Sequence, residues 1–172
     1  LPPSTLALRW ASLYLMWRSR RQPAYRDYWD ERFAWGTYPL RTERPRVWIH
    51  AVSVGETNAA KPLLEAMLKS WPECDVVLTH MTPTGREAGK RLVRLAPERI
   101  RQCYLPYDAP YAVEKFVRQV RPTLGVIMET EVWPNLMHEM TAHGIPVVLA
   151  NARESEKSRA QAQKAIVSMG PA

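Results

Sequence analysis

A chain of 172 residues has room for one domain with short appendages, and its 46% hydrophobic and 24% charged residues exclude a disordered protein. The formal net charge of +7 favours anionic partners, such as phospholipid head groups, a phosphorylated substrate or nucleic acid. Only two cysteines are present, Cys74 and Cys103, and their spacing predicts neither a metal site nor a disulfide framework.

The first element is an apolar, aromatic stretch over residues 6–17, followed by a cluster of arginines. No run of about 20 apolar residues occurs, so no segment is expected to span a bilayer. A short helix of this kind is typical of an interfacial anchor on anionic lipid, with an ordinary core helix as the alternative. A signal peptide would instead place its basic residues before the apolar run. The residues predicted to contact lipid are aromatic or positively charged: Trp10, Trp17, Arg18, Arg20 and Arg21.

From residue 46 onward, short apolar strands alternate with amphipathic helices. The predicted strands are 47–51, 76–79, 102–105, 124–128 and 146–150, and the predicted helices are 56–70, 85–95, 110–120 and 134–143. Continuously apolar strands indicate a parallel sheet buried on both faces, and right-handed crossovers make it a doubly wound, Rossmann-like α/β fold. Ligands bind beyond the carboxyl ends of the strands in such sheets. We therefore expect the functional residues to gather along that edge, called the rim below.

The turn from Ser53 to Glu56 follows the first predicted strand. Gly55 allows a close approach of the backbone to a ligand, and a charged, accessible Glu56 at a helix start can remove a proton from an attacking alcohol. The spacing of Ser53 and Glu56 is also that of a capping box, in which the carboxylate only satisfies backbone donors. The spacing alone favours the cap, although Pro62 weakens it by removing a helical hydrogen bond. Both interpretations stay open.

A second polar turn, from Thr82 to Arg86, precedes the second long helix. Backbone amides at Gly85 and the hydroxyls of Thr82 and Thr84 can form an anion site. Arg86 can add charge-assisted hydrogen bonds to a phosphate or a carboxylate. The alternative is a plain helix start, because Thr84 and Glu87 also have capping-box spacing.

Two carboxylates, Glu129 and Glu131, directly follow the fourth predicted strand. Such a pair is costly beside a buried strand unless it is solvated, paired or functional. Alternate residues of an extended chain point the same way, so the two side chains are expected to share one site, with a solvated loop as the alternative.

A metal site is not expected from the histidines of the last predicted helix. His138 and His143 are five residues apart, one more than in the zinc motif, so their imidazoles lie on different faces. No phosphate-binding glycine loop occurs, and the aromatic residues are distributed as core and anchor residues rather than as base-stacking platforms. We therefore predict no metal, no cofactor and no nucleic-acid partner.

Five segments, at 50–56, 81–85, 104–108, 128–135 and 151–153, occur in a fixed order. Together they resemble the N-terminal domain of bacterial 3-deoxy-D-manno-octulosonic acid (Kdo) transferases. Residues 23–26, Trp29, Glu31 and Arg32 resemble the basic N-terminal segment of that family. The resemblance runs from about Leu6 to Ser158.

This resemblance implies an inverting GT-B glycosyltransferase of lipopolysaccharide biosynthesis, bound to the cytoplasmic side of the inner membrane. It implies transfer of Kdo from CMP-Kdo to the lipid A precursor, without a metal or another cofactor. Glu56 would be the general base, and Glu129 would stabilise the transition state. The residues expected to bind substrate lie in the polar turns: Ser53, Gly55, Thr82, Thr84, Gly85, Arg86, Glu131, Asn151 and Arg153. Among them, Arg86 is a candidate phosphate or carboxylate contact that the family pattern does not require.

The resemblance also implies a division of the chain. Residues 1–45 would form a membrane-associated segment, 46–158 the acceptor-side domain and 159–172 a divergent or truncated tail. The C-terminal donor domain, which would hold most of the CMP-Kdo site, is expected to be absent. We therefore expect no transfer by this chain alone, with an inactive membrane-binding fragment as the alternative function.

Overall fold

The computed structural model describes residues 13–14, 16–128 and 133–150. Five parallel strands form one sheet in the order β3-β2-β1-β4-β5. The strands are β1 (Arg46–His50), β2 (Asp75–His80), β3 (Ile100–Tyr104), β4 (Leu124–Met128) and β5 (Val147–Ala150). The predicted doubly wound α/β fold is therefore confirmed, with β1 at the centre of the sheet.

The helices are α1 (Trp29–Arg32), α2 (Val54–Ser70), α3 (Pro83–Val93), α4 (Pro110–Val120) and α5 (Pro134–Ala142), and a 3₁₀ turn spans Pro23–Arg26. The four long helices match the predicted ones. Three of them have a proline in the first turn, where the missing N–H costs no helical hydrogen bond. Helix α2 runs through Pro62 to Ser70, so that proline does not delay the helix start.

Each face of the sheet is covered by one pair of helices. Trp48 lies on the face that packs against α4 and α5, and Ile49 lies on the face that packs against α2 and α3. Gly125 of β4 is required by close packing, because a Cβ atom there would lie 2.9 Å from the Trp48 ring. The two cores pack the strands from both faces and so set the positions of the strand ends at the rim.

A segment before β1, residues 28–41, crosses the β3 edge of the sheet and is called the strap below. Its residues Phe33, Ala34 and Tyr38 are buried. The side chains of Lys115 and Arg46 donate hydrogen bonds to strap carbonyls, at Ala34 (2.8 Å) and at Leu40 (2.8 Å) respectively. The strap is therefore packed onto the domain that follows it.

Candidate functional site

The turns after β1 and β2 contact each other directly at the rim. The carbonyl of Val52 accepts hydrogen bonds from the Thr82 amide at 3.2 Å and from the Thr82 hydroxyl at 3.0 Å. A Cβ atom at Gly85 would lie 2.7 Å from the same carbonyl, so only glycine permits this approach. The structure thus brings together the two polar turns that the sequence singles out.

Glu56 lies at the first turn of α2 and is bound to the turn that precedes it. Its carboxylate accepts hydrogen bonds from the Val52 amide at 2.8 Å and from the Ser53 hydroxyl at 2.9 Å. Ser53 is the N-cap of α2 and accepts from the Glu56 amide at 3.5 Å. The capping interpretation is therefore confirmed as local structure.

The expectation that the Glu56 side chain is accessible is wrong, because the residue is only 8% exposed. The two donors and the start of the helix enclose most of the carboxylate. Each carboxylate oxygen nevertheless has one protein donor and retains a further lone pair. Capping and proton removal are thus compatible roles for one side chain.

The surface beside Glu56 is open at Gly55. Both Val54 and Gly55 are exposed, and a Cβ atom at Gly55 would meet only the Ser53 hydroxyl, at 3.8 Å. The first turn of α2 therefore leaves room for a ligand next to the carboxylate.

Thr82, rather than Thr84, begins helix α3. The Thr82 hydroxyl accepts a hydrogen bond from the Gly85 amide at 3.0 Å, and Pro83 is the first helical residue. The alternative cap of Thr84 with Glu87 is wrong, since Glu87 forms a 2.6 Å ion pair with Lys90 instead. Thr84 is left exposed at the rim.

Arg86 does not present a free fork to a ligand. Its Nη1 and Nη2 atoms lie 2.5 and 3.3 Å from the two carboxylate oxygens of Glu31. The carboxylate that Arg86 contacts belongs to a residue of the strap and not to a ligand, so the structure does not show the expected ligand contact. Glu31 also accepts a hydrogen bond from the amide of Tyr104 at 2.8 Å, at the outer edge of β3.

Asp108 and Asn135, from the segments 104–108 and 128–135, bind each other and have a structural role. The Asp108 carboxylate accepts from the amides of Asn135 (3.0 Å) and Leu136 (2.9 Å) and so caps α5. The Asn135 side chain returns a 2.8 Å hydrogen bond to the Asp108 carbonyl. These contacts hold the turn after β3 against the start of α5.

His50, the last residue of β1, is a buried rim residue that the sequence leaves without a role. Its Nδ1 atom lies 2.9 Å from the Thr79 hydroxyl, which also accepts from the Trp48 indole at 2.7 Å. Burial, together with a smaller effect of the neighbouring His80, lowers the pKa of His50 to about 3, so the ring is neutral at pH 7. Its Nε2 atom has no hydrogen-bond partner among the described residues.

Several predicted site residues lie outside the described residues: Glu129, Glu131, Asn151, Arg153 and Trp10. In the chain, Glu129 follows Met128 and Asn151 follows Ala150. Met128 and Ala150 are paired in register at the ends of β4 and β5. The described parts of β4 and β5 thus end side by side at the rim.

The N-terminal residues form an apolar groove beside exposed arginines. Leu13, Met16 and Trp17 are 56%, 55% and 54% exposed, so they are not part of the core that the described residues form. The groove has a volume of about 760 Å³ and is also lined by Arg20 and Arg26. Over the described part of the chain, every helix is too short or too polar to cross a membrane.

Comparison with known proteins gives independent evidence on the family to which this chain belongs. The family described as 3-Deoxy-D-manno-octulosonic-acid transferase (kdotransferase) matches residues 27–170. That match includes residues 159–170, which we expected to belong to a divergent or truncated tail.

Three curated relatives carry similar names. A 3-deoxy-D-manno-octulosonic acid transferase of Bordetella pertussis is 44% identical over 92% of this chain and 38% of its own length. One of Haemophilus influenzae is 37% identical over 81% of this chain and 32% of its own length. A probable mitochondrial one of Arabidopsis thaliana is 32% identical over 85% of this chain and 32% of its own length. The chain thus spans well under half of these relatives, and it belongs to the 3-deoxy-D-manno-octulosonic-acid transferase family.

Proposed function

We propose that this chain is the acceptor-side half of a Kdo transferase that moves Kdo from CMP-Kdo to the lipid A precursor. Family membership and the Rossmann-like fold support a glycosyltransferase half-domain. The observation that carries the proposal is the position of Glu56, whose carboxylate is fixed at the carboxyl end of the central strand. This is the place where ligands bind in open parallel sheets.

In the proposed reaction, Glu56 acts as the general base. A hydroxyl oxygen of the acceptor attacks the anomeric carbon of Kdo and gives its proton to the carboxylate. The bond from that carbon to the phosphate oxygen breaks, and CMP leaves with the electron pair. Attack from the face opposite to CMP inverts the anomeric carbon. The hydrogen bonds from Val52 and Ser53 hold the carboxylate in one orientation while a lone pair remains for the proton.

Glu129 is proposed to stabilise the transition state. The Kdo carbon gains oxocarbenium character as CMP leaves, and a nearby carboxylate favours that positive charge. The chain position of Glu129, directly after β4, supports this role because β4 is the neighbour of β1. Substrate contacts are proposed for the other residues of the polar turns: Ser53, Gly55, Thr82, Thr84, Gly85, Glu131, Asn151 and Arg153.

The N-terminal groove is proposed to rest on the anionic cytoplasmic side of the inner membrane. The exposed apolar side chains Leu13, Met16 and Trp17 suit the acyl boundary, and the nearby Arg20 and Arg26 suit phosphates. A lipid acceptor that carries phosphates would meet the same surface.

The experiment is a transfer assay on a chimaera. The chain replaces the matching part of the Bordetella pertussis relative, which supplies the donor half. We expect the chimaera to form the Kdo-bearing lipid product from CMP-Kdo, detected by mass spectrometry, and the 172-residue chain alone to form none. A folded chimaera that binds CMP-Kdo but transfers no Kdo would contradict the proposal.

A second candidate function is membrane binding without chemistry. The exposed groove and its arginines favour it, since they need no donor half. Vesicle binding by the chain, together with an inactive chimaera, would select this candidate.

A further inference from the structure

Arginine and tyrosine side chains alternate in a continuous stack between the N-terminal residues and the sheet. The stack consists of Arg18, Tyr25, Arg32, Tyr104, Arg86 and Tyr28. Successive guanidinium-to-ring distances are 5.2, 5.6, 3.7, 4.8 and 3.8 Å. All lie within the range of a cation–π contact. The stack begins at the exposed Arg18, next to the groove residue Trp17, and ends at Tyr28 of the strap, whose ring packs on Arg86 of helix α3.

Arg32 is the centre of this stack and is 1% exposed. Its Nη1 atom donates to the Met81 carbonyl at 3.0 Å, whereas Nε and Nη2 have no hydrogen-bond partner among the described residues. A buried cation without a carboxylate partner is costly for folding. The ring faces of Tyr25 and Tyr104 offset part of that cost. Among the described residues, Arg32 is thus held by one backbone carbonyl and two tyrosine rings, and these contacts join the strap to the rim.

Glu31, the residue before Arg32, binds the strap to helix α3 and to strand β3. Its carboxylate pairs with both terminal nitrogens of Arg86 and accepts the outward amide of Tyr104. The side chains of Glu31 and Arg86 are 15% and 12% exposed, so solvent screens the pair little.

The contacts of Arg32 continue to the candidate base through hydrogen bonds. Arg32 holds the Met81 carbonyl, and the following Thr82 holds the Val52 carbonyl. The Val52 amide then donates to Glu56. The buried arginine of the strap is therefore linked to the Glu56 carboxylate through two short turns.

We propose that Glu31 and Arg32 are positioning residues that fix residues 16–26, which supply most of the lining of the apolar groove, to the rim. This inference rests on the proposed function, because it assigns the strap the task of setting the position of Glu56 over a lipid acceptor. If Glu56 is held at a fixed distance from the membrane surface, its carboxylate can reach the hydroxyl of an acceptor embedded in that membrane. If the domain is only loosely connected to the groove, the carboxylate does not stay in reach. An acceptor dispersed in detergent is free to adjust and needs no such alignment.

The first test is a distance measurement on the chain itself. Spin labels are placed at Gln22→Cys and Lys90→Cys, both exposed positions, while the native cysteines are buried. We expect one narrow distance that does not change when phosphatidylglycerol vesicles are added. Arg32→Met and Glu31→Gln should each lose the narrow distance, and the exposed-pair control Glu65→Gln should keep it. A narrow distance in every folded strap variant, or a wild-type distance that is broad or shifts with vesicles, overturns the proposal.

The second test compares two acceptor forms in the chimaera. Arg32→Met and Glu31→Gln should lower transfer to acceptor in vesicles by about 10-fold and to detergent-dispersed acceptor by less than about twofold. Equal losses on both forms would identify a merely structural role and contradict the inference. An inactive wild-type chimaera would count against the proposed function instead, and it would leave the distance result intact.

Discussion

Alanine at Gly85 tests how tightly the two polar turns of the rim are packed. The new Cβ atom would lie 2.7 Å from the Val52 carbonyl and 2.9 Å from the Thr82 hydroxyl. The hydroxyl can rotate away, but the carbonyl is backbone and is held by three donors from residues 81 and 82. Relief of the contact therefore requires movement of a whole turn.

The magnitude follows from two opposing effects. Overpacking of this kind costs about 1–3 kcal/mol, and replacement of glycine by alanine within a helix returns up to about 1 kcal/mol. We expect Gly85→Ala to lower the free energy of unfolding by about 1–2 kcal/mol. Gly55→Ala is the matched control, because its Cβ atom would meet only the Ser53 hydroxyl at 3.8 Å. It should leave stability unchanged or raise it.

The assay is urea unfolding followed by circular dichroism, with the slope of the transition checked for constancy. Equal stability of Gly85→Ala and Gly55→Ala would contradict this prediction, since the two turns would then not be in close contact.

Two further predictions concern acid stability and lipid binding. Burial is the first cause of the low pKa values of His50, about 3, and His80, about 4, below the unfolded value of about 6.5. The unfolded state therefore binds more protons below pH 6.5, and each ring should remove about 1.4 kcal/mol of stability per pH unit as the pH falls towards its folded pKa. Urea unfolding at pH 7 and pH 5 should show a smaller loss for His80→Gln than for the wild type, and an equal loss would contradict this prediction. For lipid binding, Arg20→Gln and Arg21→Gln should each weaken flotation with phosphatidylglycerol vesicles by about 5-fold, or about 1 kcal/mol. Arg118→Gln, on α4, is the control, and equal flotation of all variants would argue against the anchor.

The fold was predictable because its signals are local. Apolar runs marked the strands, and Pro110 and Pro134 marked helix starts that agree with the structure. The start of α3 was misjudged between two threonines, although Pro83 favours Thr82 as the cap, since proline suits the first helical position.

The strap contacts were not predictable from any local pattern. Arg32 binds Met81, 49 positions away, and Glu31 binds Arg86 and Tyr104, 55 and 73 positions away. Their resemblance to a family segment indicated a shared origin but no role. Such contacts depend on how the strap crosses the sheet edge, which is a property of tertiary packing.

Spacing alone favoured the cap for Glu56, and it did not exclude a role as base. The same geometry serves both, because a carboxylate at the third helical position reaches the backbone and faces the rim. Only a measurement of the reaction, and not the spacing of residues, can separate the two roles of Glu56.

The most direct test of Glu56 as the general base is the turnover rate of the chimaera that carries Glu56→Gln, corrected for the folded fraction. Glutamine keeps an oxygen that can accept from the Val52 amide, so a cap would survive, but it cannot take a proton. We predict a fall in kcat of about 10²–10⁴-fold with unchanged CMP-Kdo binding, while Glu65→Gln retains the full rate. A folded Glu56→Gln enzyme with the wild-type kcat would show that Glu56 only caps α2.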